Sequence, residues 1–421
     1  MGLFVFSSLL HLVDTIFVSW LGEFPMAAMS FTGPVNLCIF AMLECVANGA
    51  IALMGRNLGR GDVGAAQHIA RSALALMYVE SMLSLPMILP SVSNAVFEGI
   101  GAQGDVLHLC WLYNMWVPIM FPFMGYTYMC NTVFRAQGDT LTPFKAIALA
   151  NTINIVLDPI LIFSVGWGIS GAAIATWVSR IASSYYLWRK LNKESEIKVS
   201  PLMRPWDRPT LYWRGILWIG VPVALTSASV ALGMGSVNKI LSAFGHRAVA
   251  AWMLGLRVEE LAFNFVQGIN TALVPYVAFN YGRRNAARML AGFKAAYLLA
   301  LGLMVTMGGV IYAAPHLFLD LFQPAPEIGA MAAAAIRASV PGYPFNILVV
   351  LSCGFFVGTG YSLFGTVTQL LRSIVFRVTA AWIFATQVDF SHIWWFQSLA
   401  AFCGSFVAAG FFCFVYRRVK T

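Results

Sequence analysis

Charge is scarce in this chain. Only 10% of its 421 residues are Asp, Glu, Lys or Arg, against 59% hydrophobic ones, and the mean hydropathy is +0.76. That composition excludes a soluble globular domain. The motifs of ATP hydrolysis and zinc proteolysis, G-x-x-x-x-G-K-[ST] and H-E-x-x-H, are both missing, so neither an enzyme nor a cofactor is expected. The turn Gly59-Arg60-Gly61-Asp62 joins two apolar runs instead of a strand and a helix, which removes it as a phosphate cradle. Seven cysteines occur singly, at 38, 45, 110, 130, 353, 403 and 413, without C-x-x-C spacing or partner histidines. They read as small core residues, not as disulfides or metal ligands. Strict alternation of polar and apolar residues is also absent, which argues against a β-barrel. No cleavable signal peptide is expected, because the first apolar stretch runs into an aspartate and continues as a membrane segment.

The chain is instead rich in uninterrupted apolar runs. Ala146 to Trp167 holds one charge, and Ala295 to Leu319 and Gln397 to Tyr416 hold none. Each is long enough to cross about 30 Å of hydrocarbon as a helix. The expected fold is all-α, a polytopic membrane protein of about twelve transmembrane helices starting near residues 1, 26, 64, 106, 141, 168, 212, 248, 287, 331, 363 and 392. Alternate connections hold 19 Lys and Arg, whereas the opposite set holds one, Arg247. The net charge of +9 therefore reports topology, with both termini in the cytoplasm of a multi-pass cell (inner) membrane, and not nucleic-acid binding. The segment from Arg189 to Arg214, with prolines at 201, 205 and 209, is the one long polar stretch. It sets the expected division: a first lobe at 1–192 with helices 1–6, a cytoplasmic linker at 193–210, and a second lobe at 211–421 with helices 7–12. Asn57-Leu58-Gly59 matches Asn280-Tyr281-Gly282 and Leu21-Gly22 matches Phe244-Gly245, both at an offset of 223, while Phe134 and Gly138 match Phe356 and Gly360 at 222. A duplicated six-helix unit would account for this, giving two pseudo-symmetric parallel lobes as in transporters.

A carboxylate at the depth of lipid tails marks an ion or substrate pathway. Asp158 lies in such a run, and Asn151, Asn154 and Asp158 share one helical face at i, i+3 and i+7. Pro159 follows directly and should bend the helix beside the carboxylate. Asp14 in the first span and Thr176 in the sixth complete one possible ion site. Carboxylate, amide and hydroxyl oxygens suit either a proton or Na+, and sequence does not separate the two. Asp14 is alternatively an interfacial acid snorkelling to the surface. Glu80 in the third span and Glu259 and Glu260 in the eighth either line a substrate cavity or, for the latter two, neutralise Arg257 between helices. Arg372 and Arg377 in the eleventh span have no assignment. Aromatics such as Trp111, Trp116, Trp167, Trp394 and Trp395 read as interfacial anchors, and Met115, Met120, Met124 and Met129 as gap-filling core.

The chain resembles the MATE (multidrug and toxic compound extrusion) transporters. The resemblance rests on VDTIFVSWLG at 13–22, GRNLGRGD at 55–62, FRAQGDTLTPFKAIALANTINIVLDPILIFSVGWGISGAAIAT at 134–176 and LGLRVEELAFNFVQGINTALVPYVAFNYGRRNAAR at 254–288. It implies a monomeric secondary antiporter in the lipid bilayer, exporting small amphipathic or cationic organic compounds such as drugs, toxins and dyes against H+ or Na+ by alternating access, with no other cofactor. It also implies an ion site at Asp14, Asn154, Asp158 and Thr176. The acidic residue of the R-[IV]-E pattern in the DinF-type branch is similar to Glu259 and Glu260, whereas an acid some sodium-coupled relatives carry in the seventh helix has no counterpart. Only thirteen residues precede Asp14, fewer than is usual for the family. The alternative is a flippase for lipid-linked oligosaccharide or another lipid, which would call for a strongly basic cavity. An ion channel is a third reading, and would conduct without counter-transport.

Overall fold

The computed structural model describes residues 17, 20–201, 210–322, 324–388 and 390–420. Among them the chain is helical, with no strand. The helices are α1 (Glu23–Gly59), α2 (Val63–Ser84), α3 (Pro90–Gly99), α4 (Asp105–Asn114), α5 (Trp116–Ala136), α6 (Leu141–Pro159), α7 (Gly168–Glu194), α8 (Trp213–Ser242), α9 (His246–Gly282), α10 (Ala286–Ala313), α11 (Pro326–Ser339), α12 (Tyr343–Thr359), α13 (Ser362–Leu370), α14 (Arg377–Gln387) and α15 (Phe396–Lys420). Among the described residues, eight helical stretches are long and apolar enough to cross a membrane. A ninth is a bent pair, in which α2 and the short turn after it meet α3 at 89° beside Pro86 and Pro90. The first expected span lies almost entirely outside the described residues.

Two compact units divide the chain at Gly220 and Val221, inside α8 and just before Pro222. The described part of the stretch expected to be a linker is packed, not free. Ile197 and Val199 are buried, and the Tyr126 hydroxyl of α5 donates to the Val199 carbonyl at 2.8 Å. Two alternate apolar side chains in a charged segment are enough to seat it on the first unit.

The units repeat one another down to their turns. α1 and α9 are both 37 residues long and follow glycines in the left-handed region, Gly22 at φ 112° and Gly245 at φ 95°. Each then turns into a helix capped from the same place: Asp62 accepts from the Ala65 amide at 2.8 Å, and Asn285 from the Arg288 amide at 3.0 Å. A side-chain acceptor there satisfies an amide that has no partner inside the helix. The turn residue before each cap is also left-handed, Gly61 at φ 82° in the first copy and Arg284 at φ 54° in the second. The fifth span carries a π-helical segment in each unit but at different heights: Ile160–Ser164 ends it after α6 in the first, and Leu371–Phe376 interrupts it between α13 and α14 in the second.

Aromatic packing forms the core of the second unit. Phe293 of α10, Phe355 of α12 and Phe412 of α15 meet with ring centroids 4.3 to 5.9 Å apart, and Trp252 packs on Phe396 at 4.9 Å. Trp394 is buried too, unlike its exposed neighbour Trp395, because consecutive residues of a helical turn face different sides. The interfacial reading therefore fails for Trp394. Met120, Met124 and Met129 fill the core of the first unit. The cysteines are free thiols, and Cys38 and Cys413 are exposed, not core.

Candidate ion site in the first unit

Asp139 sets the start of the site helix. Its Oδ1 accepts the amides of Leu141 and Thr142 at 2.9 and 3.0 Å, fixing the first turn of α6 after the left-handed Gly138. Partial burial tends to raise this carboxyl, but the bonds from Thr142 and Leu141 and the charge of Lys145 outweigh it and hold the group below the usual carboxylate range.

From there α6 is two-faced. Its inward residues are Thr142, Pro143, Ala146, Ala150, Asn151, Asn154 and Asp158, recurring at each helical turn, while Leu149, Ile155 and Val156 face outward. The polar stripe read from the sequence thus points into the unit, and Asn154 and Asp158 are both 0% exposed. Asn154 Nδ2 donates to Asp158 Oδ1 at 3.2 Å and to Thr176 Oγ1 at 3.4 Å. Thr176 in turn donates to the Ala172 carbonyl at 3.1 Å. One amide therefore ties the fifth span to the sixth.

That tie depends on how closely the two spans approach. Past Pro159 the chain winds one residue wider, with the Val165 amide bonded to the Ile160 carbonyl at 2.8 Å, and then reverses through Gly166 and Gly168, both left-handed. Gly171 on α7 meets the widened segment backbone to backbone. A Cβ there would lie 2.7 Å from the carbonyl carbon and oxygen of Leu161. Glycine is what lets α7 come near enough for Thr176 to reach Asn154.

The Asp158 carboxylate and the Thr176 hydroxyl meet at the Asn154 Nδ2, while the Oδ1 of the same amide is buried without a hydrogen-bond partner among the described residues. Such a set offers a proton acceptor or hard ligands for a small alkali cation. No group of three or more His, Cys, Asp or Glu suited to a metal occurs among the described residues. Asn151 is buried on the same face. Asp14 lies outside the described residues.

The three glutamates proposed for a substrate cavity separate. Glu80 is buried in the first unit, with Oε2 lacking a hydrogen-bond partner among the described residues. Glu259 is buried in the second unit. Glu260 is exposed and pairs with Arg257 at 3.3 Å along its own helix. The pair lies within one helix, where residues three apart are neighbours on the surface, and does not bridge two helices. Arg372 and Arg377, left unassigned by sequence, are buried with Glu259, at 5% and 4% exposure.

The MatE family model matches twice, over residues 2–160 and again over 222–383. The FAD transporter of Shewanella oneidensis is 31% identical over 308 residues, 72% of this chain and 66% of that protein. The multidrug export protein MepA of Staphylococcus aureus is 23% identical over 370 residues, 86% of this chain and 80% of that protein. Among solved structures, the outward-facing conformation of a multidrug resistance MATE family transporter superposes with a TM-score of 0.92 at 22% identity, covering 100% of this chain and 94% of that one.

Proposed function

Because the chain belongs to the MATE family of membrane transporters, matching its model in both halves, we propose that it is a secondary antiporter exporting small amphipathic organic compounds in exchange for H+ or Na+. The observation that carries the reading is the bond chain Asp158–Asn154–Thr176, in which Asp158 and Asn154 are fully buried and Thr176 partly so, set beside Pro159 and the π-helical segment. A carboxylate kept dry at this depth has a use that outweighs its desolvation. Loading it with a cation removes that penalty, and the widened turn next to it is a place where a helix can shift register between two states. Alternating access follows if the ion and the exported molecule favour different states. Asp14 is proposed as the second carboxylate, and the termini and the basic connections are placed in the cytoplasm of the inner membrane, with the protein acting as a monomer.

The test uses Asp158→Asn in inverted vesicles with an imposed pH or sodium gradient and ethidium as cargo. Normal insertion with loss of gradient-driven accumulation is expected, and the gradient that drives the wild type names the coupling ion. Accumulation by the variant at the wild-type rate would sink the assignment.

A second reading of the cargo has a specific motive. The 31% identical relative is named for FAD, a planar ring system carrying a pyrophosphate, so an anionic amphiphile joins organic cations as a candidate substrate.

A further inference from the structure

Arginine is a poor residue to bury alone, because its guanidinium keeps its charge and needs a counter-ion or a full set of acceptors. The second unit buries two. Arg372 lies in the π-helical segment of the fifth span, and Arg377 opens α14 directly after it. In a regular α-helix five residues turn about 140° away from a shared face. One extra residue in a π turn brings position i+5 back to within about 40°, so both guanidiniums face inward.

The one buried carboxylate among the described residues of this unit is Glu259. It faces the side chains of Ser339 and Gln397 and lies within electrostatic reach of both arginines, yet no ion pair within 4.0 Å joins it to either. Arg372 Nε donates to Gln369 Oε1 at 3.3 Å. Arg377 Nε is buried without a hydrogen-bond partner among the described residues, as is Gln397 Oε1. Two positive charges and many N–H donors thus surround a single acid.

The cluster is also held in place. The stem of Arg372 lies on Gly404 of α15, where a Cβ would come within 2.8 Å of its Cγ. Ser373 Oγ lies 2.6 Å from the Gln369 carbonyl and 3.2 Å from that of Ser229 on α8. Fixed donors on packed helices are the arrangement that binds a ligand without reordering cost.

The two units differ in the charge they bury on the fifth span: the first presents an acid, Asp158, just before its π-helical segment, and the second presents guanidiniums at Arg372 and Arg377, within and directly after a π-helical segment that lies nearer the start of the span.

We propose that Arg372 and Arg377, with Gln369 and Gln397, form an anion-binding site in the second unit that takes a phosphate or carboxylate group of the exported molecule. The planar guanidinium forks match either oxyanion in two-point fashion. Glu259 limits the net charge of the cluster, which favours release over permanent capture. Access to these buried groups is through movement of the π-helical segment, as at the ion site. This inference rests on the export reading and narrows its cargo.

The test uses the full-length protein in lipid nanodiscs with a matched pair of fluorescent probes, riboflavin and its 5′-phosphate, which differ only in the anionic group. Wild type is expected to bind the phosphorylated flavin about tenfold or more tightly than riboflavin, and inorganic pyrophosphate is expected to displace it. Arg372→Gln and Arg377→Gln should each erase the preference, and Arg377→Lys should restore part of it. Equal affinities for the two flavins, no binding of either, or failure of pyrophosphate to compete in the wild type overturns the proposal without relying on any variant that misfolds. So does an unchanged preference in both glutamine variants. Gradient-driven ethidium transport by the wild type is measured alongside. Its loss counts against export, while its presence with no flavin preference counts against the anion site alone.

Discussion

Adding one methyl group at Gly171 perturbs the site without touching any of its polar atoms. A Cβ at that position lies 2.7 Å from the carbonyl carbon and oxygen of Leu161 and 3.0 Å from the Ile162 nitrogen. Comfortable separations between carbon atoms are roughly 3.5 to 4.0 Å, so α7 must retreat from the π-helical segment by about 0.8 Å or more. All three obstacles are backbone, and no rotamer change relieves them. Overpacking of this kind costs about 1 to 3 kcal/mol. Thr176 lies little more than a turn further along the same helix, and its 3.4 Å bond from Asn154 is already long. A retreat of that size breaks the tie between the fifth and sixth spans. Gly171→Ala is therefore expected to lower the thermal midpoint of the purified protein and to cut gradient-driven ethidium transport. Gly309→Ala is the control, since nothing lies within 4 Å of its Cβ position, and alanine in an open helical site should stabilise by about 0.4 to 1 kcal/mol. If Gly171→Ala matches Gly309→Ala in both midpoint and transport, the close approach does not govern the site.

Other consequences can be measured on the same preparations. Arg284 occupies a left-handed conformation where the first copy has Gly61; a left-handed non-glycine costs roughly 1 to 2 kcal/mol, so Arg284→Gly should raise the thermal midpoint and Gly61→Ala should lower it. Asp139→Ala should lose about 0.5 to 2 kcal/mol through the two amides it accepts. The carboxyl of Asp139 sits lower in the folded state than in the unfolded chain, so its contribution is complete above the unfolded value near ~3.9 and fades as pH falls through the folded one. The gap in midpoint between wild type and Asp139→Ala should then be full at neutral pH and narrow in strong acid; a gap independent of pH would remove the carboxylate from the account. Asp62→Ala and Asn285→Ala each remove one amide acceptor at equivalent turns; each should cost about 1 kcal/mol, and a selective loss at one turn only would break the symmetry drawn here.

Much of the protein's architecture is legible in its residues because the bilayer leaves few choices. Long uncharged runs must be helices if their backbone is to be satisfied in lipid, so the all-α class and most span positions follow from composition. The duplication is visible through turn residues, since a left-handed turn accepts little but glycine and a cap accepts little but Asp, Asn, Ser or Thr. Gly22 and Gly245, Asp62 and Asn285, and Gly138 and Gly360 preserve that pattern while the apolar residues between them drift. The inward stripe of Asn151, Asn154 and Asp158 is likewise a matter of helical spacing alone.

Three-dimensional packing decided the rest, where the outcome turns on partners far away in the chain. Whether Thr176 reaches Asn154 depends on backbone contact at Gly171, which no local pattern encodes. Arg372 and Arg377 look like residues on different helical faces until a π turn brings them round together, and π turns arise from helix packing more than from any residue signature. Glu259 and Glu260 are adjacent and chemically alike, yet the fold buries one and leaves the other exposed beside Arg257. Sequence determines which groups a membrane helix can carry; only the packed structure determines which of them meet, because hydrogen bonding and charge act over a few ångströms that the order of residues does not specify.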